Sequence, residues 1–223
     1  MQYLEFSGTF ARAGLFIGAA GYTVFLSAVA MILGTLVGLL GAAARLSRYR
    51  ALQAISIGYV ELIRNTPFLV QIYLVYFGLP AVGIRLTGPV VAIAALTLYS
   101  GAYITEIMRA GIVSIDKGQL EAAKSLALSP LKAFRHVVLV PALAAIFPSL
   151  TSQFILTLLA SSVVSVISVP ELTAVSNDIL GMTFRSLEAF LVVAAIYLAL
   201  TATFKFLFAL VDRWAFSYRY VGR

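Results

Sequence analysis

At 223 residues, 61% of them hydrophobic and only 11% charged, the chain has too little polar surface for a soluble domain of its length. It contains no cysteine, which excludes disulfide staples and thiolate metal sites, and its single histidine, His136, has no second imidazole or thiol with which to share a metal. The net charge of +7 fits Lys and Arg gathered on one side of a membrane better than it fits binding to nucleic acid. The uncharged stretches are continuously apolar and long enough to cross ~30 Å of hydrocarbon as helices, which selects an α-helical bundle over a membrane barrel.

In chain order, the opening Met1–Ser7 has no basic residue before Arg12, so no cleaved leader is expected. Nothing between Arg12 and Arg45 carries a formal charge, a run of roughly 46 Å as helix, which exceeds one bilayer core. Its start, Gly14 to Gly21, is expected along the interface, and a spanning helix is predicted over about 22–44. Ala30, Gly34, Gly38 and Ala42 recur at one-turn spacing, which lets helix backbones approach closely in lipid.

Arg45, Arg48 and Arg50 precede a second helix, about 51–82, whose apolar run is interrupted by Glu61 and Arg64. Pro67 removes a backbone donor and disfavours α geometry at Thr66, so a kink or break is predicted near Asn65–Pro67. Arg85 sits in a short turn, and a third helix, about 86–108, closes on Glu106 and Arg109. The loop of about 112–136 is polar and basic, with Lys117, Lys124, Lys132 and Arg135. A fourth helix, about 137–169, is expected to bend at Pro141 and Pro148. A mixed loop with Glu171, Asp178 and Arg185 leads to a fifth helix, about 187–211, and to a tail carrying Arg213, Arg219 and Arg223.

The fold class is thus an all-α polytopic membrane protein, a single transmembrane domain over residues 1–223 with five spanning helices. The Arg45–Arg50 cluster, the Arg109–Arg135 loop and the tail share one face, with Arg12, Arg85 and Arg185 opposite. The positive-inside rule places the rich face in the cytoplasm, the N-terminus outside and the C-terminus inside. An odd helix number leaves no even inverted repeat within the chain, so a two-fold transport pathway needs a second subunit.

The segment Gly118 to Pro130 reads as helix, turn, helix: Glu121–Leu126 favours helix, and Ser129 and Pro130 fit the cap and first position of the next one. Leu120, Leu126, Leu128 and Leu131 then have no lipid to meet, so the loop either folds onto its own bundle or is held ready for a partner protein. The run Glu121-Ala122-Ala123, followed by Lys124, Ser125, Leu126, Ala127 and Leu128, resembles the EAA loop of ABC-importer permeases. That pattern places a Gly where Ala127 stands. Ala in a left-handed turn costs about 1 kcal/mol, so a reshaped turn is expected.

Two further runs, Tyr59 to Gln71 and Tyr103 through Glu106, Arg109, Gly118 and Gln119 to Glu121, are similar to permeases for polar amino acids, the group that serves histidine, glutamate, glutamine and arginine. The similarity continues through Val169-Pro170-Glu171-Leu172 and Thr183-Phe184-Arg185. The resemblance implies a MetI-like transmembrane fold in the cell inner membrane and a pair of permeases forming the pathway. It also implies two cytoplasmic ATPase subunits docked on the Glu121 loops and an external binding protein that delivers an amino acid. This chain would bind no cofactor and catalyse nothing itself, with ATP and Mg held by the partner ATPase.

Glu61 and Arg64, three apart on one helical face, read either as a local ion pair or as path lining beside the Pro67 break. Glu106 and Arg109 repeat that spacing and read as structural. Gln71 bonds either a neighbouring helix or a passing substrate. Thr157, Ser161, Ser162 and Ser165 either bond back to their own helix or line the path. Relatives carry Lys and then Asp or Asn where this chain has Leu159 and Ala160, so a hetero-pair with a more polar second permease is expected. An ion-coupled carrier or channel would have only Glu61 and Glu106 as intramembrane acids, and would leave the Glu121 loop without a purpose; a non-transporting scaffold is the third alternative.

Overall fold

A computed structural model describes residues 6, 12–183 and 186–217. Phe184, Arg185, Arg219 and Arg223, together with residues 1–5 and 7–11, lie outside the described residues. The described elements are α1 (Ala13–Arg45), α2 (Arg50–Arg64), α3 (Phe68–Ala81), α4 (Gly88–Val113), α5 (Lys117–Ser125), α6 (Pro130–Ile167), α7 (Leu172–Thr183) and α8 (Ser186–Ala215). Among them α1, α4, α6 and α8 are long and apolar enough to cross a membrane. The 14 residues of α3 rise only ~21 Å and fall short of a bilayer by themselves.

The seam between α1 and α4 organises the bundle, and the small-residue stripe is its cause. A methyl group built on Gly34 would overlap the Ser100 hydroxyl, one on Gly38 would overlap Ile104, and one on Gly41 would overlap Thr105. From the opposite side, a methyl on Gly101 would come within 2.9 Å of the Tyr59 hydroxyl. The helix backbones are therefore close enough for Ser100 Oγ to donate to the Ala30 carbonyl at 3.2 Å. Such a bond between membrane helices contributes about 1 kcal/mol, so close packing supplies most of the seam's stability.

Three segments depart from the sequence expectation. First, α1 begins at Ala13 and not near Tyr22, as one unbroken helix. Gly14, Gly18 and Gly21 meet nothing, but Phe16 and Ala19 are buried against Leu172, Ile179, Ala189 and Val193, and this packing holds the segment in the bundle. Second, the segment expected over 51–82 with a kink or break near Asn65–Pro67 is fully broken there into two helices, where Pro67 has an extended ψ of 136°. Third, the expected mixed loop after Pro170 contains α7, which buries Leu172, Ser176 and Ile179 at helical spacing.

The fourth expected helix is longer than predicted and jointed at both ends. Residues Phe134–Leu139 form a π segment that stops just before Pro141 and its valine neighbour. The missing Pro141 N–H and its ring would break an α ladder at the Val137 carbonyl, and a π turn absorbs that mismatch. The helix continues through Pro148, then tightens into a 3-10 segment over Ser161–Ile167 and ends at Ser168, which has φ 58°. That 3-10 segment packs with α3 and the start of α4 around Leu26, Ile72, Leu96 and Val164.

Candidate functional site

The loop between α4 and α6 is built by local rules. Asp116 caps α5 by accepting the Gly118 N–H at 2.6 Å. At the other end the Leu128 N–H donates to Ala123 O (3.1 Å) and the Ala127 N–H to Lys124 O (2.9 Å), the paired bonds of a Schellman turn. This turn needs a left-handed residue, and Ala127 adopts it with φ 50°. The expectation of a reshaped turn is therefore corrected: Ala occupies the glycine position without changing the geometry, since two backbone bonds offset a strain of about 1 kcal/mol.

The turn decides which side chains face outward. Ala123 is buried at 2% exposure, whereas Leu126 and Leu131 are 74% and 76% exposed. Glu121, Ala122 and Ser125 share that outer surface, and Leu128 is half-buried beneath it. Of the two alternatives for these leucines, folding onto the bundle does not describe Leu126 or Leu131. The loop instead presents an apolar step flanked by Glu121 and Lys124, the composition of a protein contact.

At the same end of the bundle the structure joins charges from two helices. Arg45 Nη2 lies 3.3 Å from Glu106 Oε1, and Arg109 Nη2 lies 2.9 Å from Glu106 Oε2. The predicted Glu106–Arg109 pair is present and gains Arg45, which ties the C-terminal ends of α1 and α4 together. The predicted pairing of Glu61 with Arg64 is not formed. Glu61 accepts from Asn65 Nδ2 at 2.7 Å, and the Arg64 guanidinium lies over the Tyr103 ring, 5.2 Å from its centroid.

Gln71, a candidate for the path, has a structural task here. Its side chain is buried, and Nε2 donates to the carbonyls of Ile63 (2.7 Å) and Thr66 (2.8 Å). These carbonyls lose helical partners at the Pro67 break, so Gln71 caps the end of α2 from the first turn of α3. Ser161 is fully buried and donates to Leu158 O at 2.7 Å; Ser162, half-buried, donates to Leu159 O at 2.7 Å. Thr157 and Ser165 bond back likewise, to Gln153 O and Ser162 O. Leu159 is 41% exposed.

One site went unnoticed in the sequence. Glu171 is fully buried at the N-terminus of α7, where Oε1 accepts the Ala174 N–H (2.8 Å) and Oε2 accepts the Tyr197 hydroxyl (2.9 Å). Burial pushes its carboxyl above the usual range, although the Thr173 and Ala174 amides and the Tyr197 hydroxyl pull the other way. The neighbouring Leu172 N–H donates to Thr23 Oγ1 at 3.1 Å, so this connector is tied to α1 as well as to α8. An acid directly after Pro170 and before an apolar period was the available signal for a cap.

Residues 30–217 match the family model described as the binding-protein-dependent transport system inner membrane component. The chain is 34% identical over 215 residues to the glutamine transport system permease protein GlnP of Escherichia coli, covering 96% of this chain and 98% of that one. It is likewise 34% identical over 208 residues to the nopaline transport system permease protein NocM of Agrobacterium fabrum, covering 89% and 86%. Among solved structures, a crystal structure of an amino acid ABC transporter with histidines superposes with a TM-score of 0.89 at 36% identity, covering 95% of this chain and 99% of that one. The MetNI methionine ABC transporter, at 19% identity and a TM-score of 0.75, shares the fold.

Proposed function

The chain belongs to the binding-protein-dependent transport system inner membrane component family, a multi-pass inner-membrane permease of an ATP-driven importer, and from that premise we propose its cargo and working parts. The cargo is a polar amino acid or a close relative, by analogy with its glutamine and nopaline permease relatives. This chain forms half of the pathway, two cytoplasmic ATPase subunits dock on its loop and that of the second permease, and an external binding protein delivers the solute. The observation that carries this reading is the α5 loop: a capped helix ended by a left-handed turn, with Leu126 and Leu131 held outward at the end that carries Arg45 and Arg109. ATP binding in the partner would move this loop and bias inward-open against outward-open arrangements of the bundle.

Substituting Leu126→Asp tests the docking role, because the new carboxylate would be buried unpaired in the contact at a cost of several kcal/mol. Membrane insertion should survive while ATPase copurification and uptake fail; undiminished uptake would refute the role. For topology, α2 and α3 together make the second crossing, giving five spans with the C-terminus inside. Cysteines at Arg48, Lys124 and Arg219 should then label only from the cytoplasm and one at Arg85 only from outside. A hetero-pair with a more polar second permease follows from Leu159 and Ala160. Two copies of this chain would offer a zwitterion few partners on α6, at ~1–3 kcal/mol for each unmet polar group. Mass spectrometry of the intact complex should find two different permease chains, and a functional importer with this chain as its whole membrane part would exclude the pair.

A further inference from the structure

Arg64 is the last residue of α2, exposed in this chain, and is set back along the bundle from the charged end of α4. Its stacking partner Tyr103 is 15 residues into α4, about 23 Å from the helix start, and roughly 9 Å short of Arg109. Among the described residues no carboxylate pairs with Arg64, since Glu61 turns to Asn65 and Glu106 is shared by Arg45 and Arg109. The guanidinium borders a cavity of about 510 Å³ between α2, α4 and α6, which Glu106, Arg109, Ser114 and Ser149 also line. Two arginines and one carboxylate therefore line this space, an excess of positive charge in a volume sized for a small solute.

An unpaired cation at membrane depth is costly and is kept where it faces a cavity with a task. Stacking on Tyr103 fixes the plane of the guanidinium by one face and leaves the edge N–H groups for an oxyanion, in the fork geometry that matches a carboxylate. We propose that Arg64, seated on Tyr103 in the cavity between α2, α4 and α6, binds the carboxylate of the transported amino acid on the inner side of the pathway. The site rests on the importer reading for the identity of its ligand. It lies closer to the coupling end than Leu159 and Ala160 do, and gives this otherwise apolar chain one strong contact to a group that every α-amino acid carries. Arg109, some 9 Å further along α4, then offers the next cation toward the cytoplasm.

The chain has no cysteine, so a thiol placed at Ser149 reports on this cavity alone within the chain. In the assembled importer in nanodiscs, Ser149→Cys should react faster with an anionic sulfonate methanethiosulfonate than with the cationic trimethylammonium reagent, by roughly tenfold after correction for intrinsic reactivity. Labelling of the complex with the unsubstituted chain supplies the background from other subunits. Adding Arg64→Gln should bring the ratio near unity. L-glutamine should slow the anionic reagent, and its decarboxylated amine should not. Arg64→Lys should retain the charge preference but lose most of the protection, because an ammonium cannot form the fork.

A ratio unchanged by Arg64→Gln in a well-inserted complex, or equal protection by glutamine and the decarboxylated amine, would overturn the proposal. The same holds if the preference appears in phosphatidylcholine discs and vanishes, without glutamine protection, once phosphatidylglycerol is added, for the occupant is then a lipid headgroup. Labelling needs no turnover. Arg64-dependent protection by glutamine in a complex that shows no ATP-dependent uptake would count against the importer reading and leave the carboxylate site standing.

Discussion

The α1–α4 seam and the α6 helix are both apolar membrane elements, yet they are built to opposite ends. In the seam every available volume is used: the glycines at 34, 38 and 41 touch α4, and Gly101 touches α1, so the two helices have one way to pack. In α6 the hydrogen-bond ladder changes geometry twice, from π at Phe134–Leu139 to 3-10 at Ser161–Ile167, on either side of a regular 21-residue rod. The first joint adjoins the exposed α5 loop and the second adjoins the core shared with α3. A frame that admits no sliding, beside a rod with a joint at each end, is the arrangement expected of a machine in which one element transmits motion past another. The break between α2 and α3 belongs with the jointed class, since the Ile63 and Thr66 carbonyls there are held by one side chain.

The comparison breaks most visibly at the seam. Gly38→Leu should force α1 away from Ile104, at about 3 kcal/mol, the upper part of the usual overpacking range, and should lower the yield of monodisperse protein and its melting midpoint. Gly58→Ala, where a methyl meets open space, is the matched control and should leave both unchanged. A seam that tolerates leucine would mean the helices can slide after all.

The break at Pro67 should be the next most sensitive. Gln71→Leu keeps the volume but strips both carbonyl bonds, at ~1–2 kcal/mol, so the melting midpoint should fall and hydrogen exchange should rise around residues 62–67. Equal exchange in the two proteins would show that Gln71 does not hold this joint.

Glu171 sharpens the contrast beside the 3-10 joint through pH. Its carboxyl titrates above the usual range in the folded protein, so the folded state favours the protonated form; the stability this contributes is present at low pH and is lost as pH rises through the folded value. Its acceptors face the Ala174 amide and the Tyr197 hydroxyl. Thermal stability of the parent chain should thus decline with rising pH relative to Glu171→Gln, which cannot ionise. Parallel pH profiles for the two proteins would contradict the assignment.

The smallest effect is expected at the coupling turn. Ala127→Gly should relieve part of the left-handed strain and stabilise the Schellman turn by about 0.5–1 kcal/mol, read as slower hydrogen exchange at Leu128. A destabilised turn in the glycine variant would show that Ala127 is held by contacts and not merely tolerated.

The sequence by itself determined the features that short-range or periodic rules express. Apolar runs placed α1, α4, α6 and α8, the small-residue spacing named the seam, Pro67 located the break, and Ser129 with Pro130 framed the coupling loop. Each of these depends on residues within a turn or two, where propensity and periodicity act directly. What only the tertiary structure decided were the choices of partner among polar groups that had several. Glu106 drew Arg45 from 61 residues away, Arg64 took Tyr103 over Glu61, and Gln71 bonded Ile63 and Thr66 when a substrate was an equal alternative. The α7 helix and the early start of α1 were likewise settled by burial of Phe16 and Ala19 against Leu172, Ile179 and Ala189. Local rules leave such groups undecided because a buried polar or apolar side chain takes its stability from whichever neighbour the folded bundle brings within reach, and sequence distance carries no information about that neighbour.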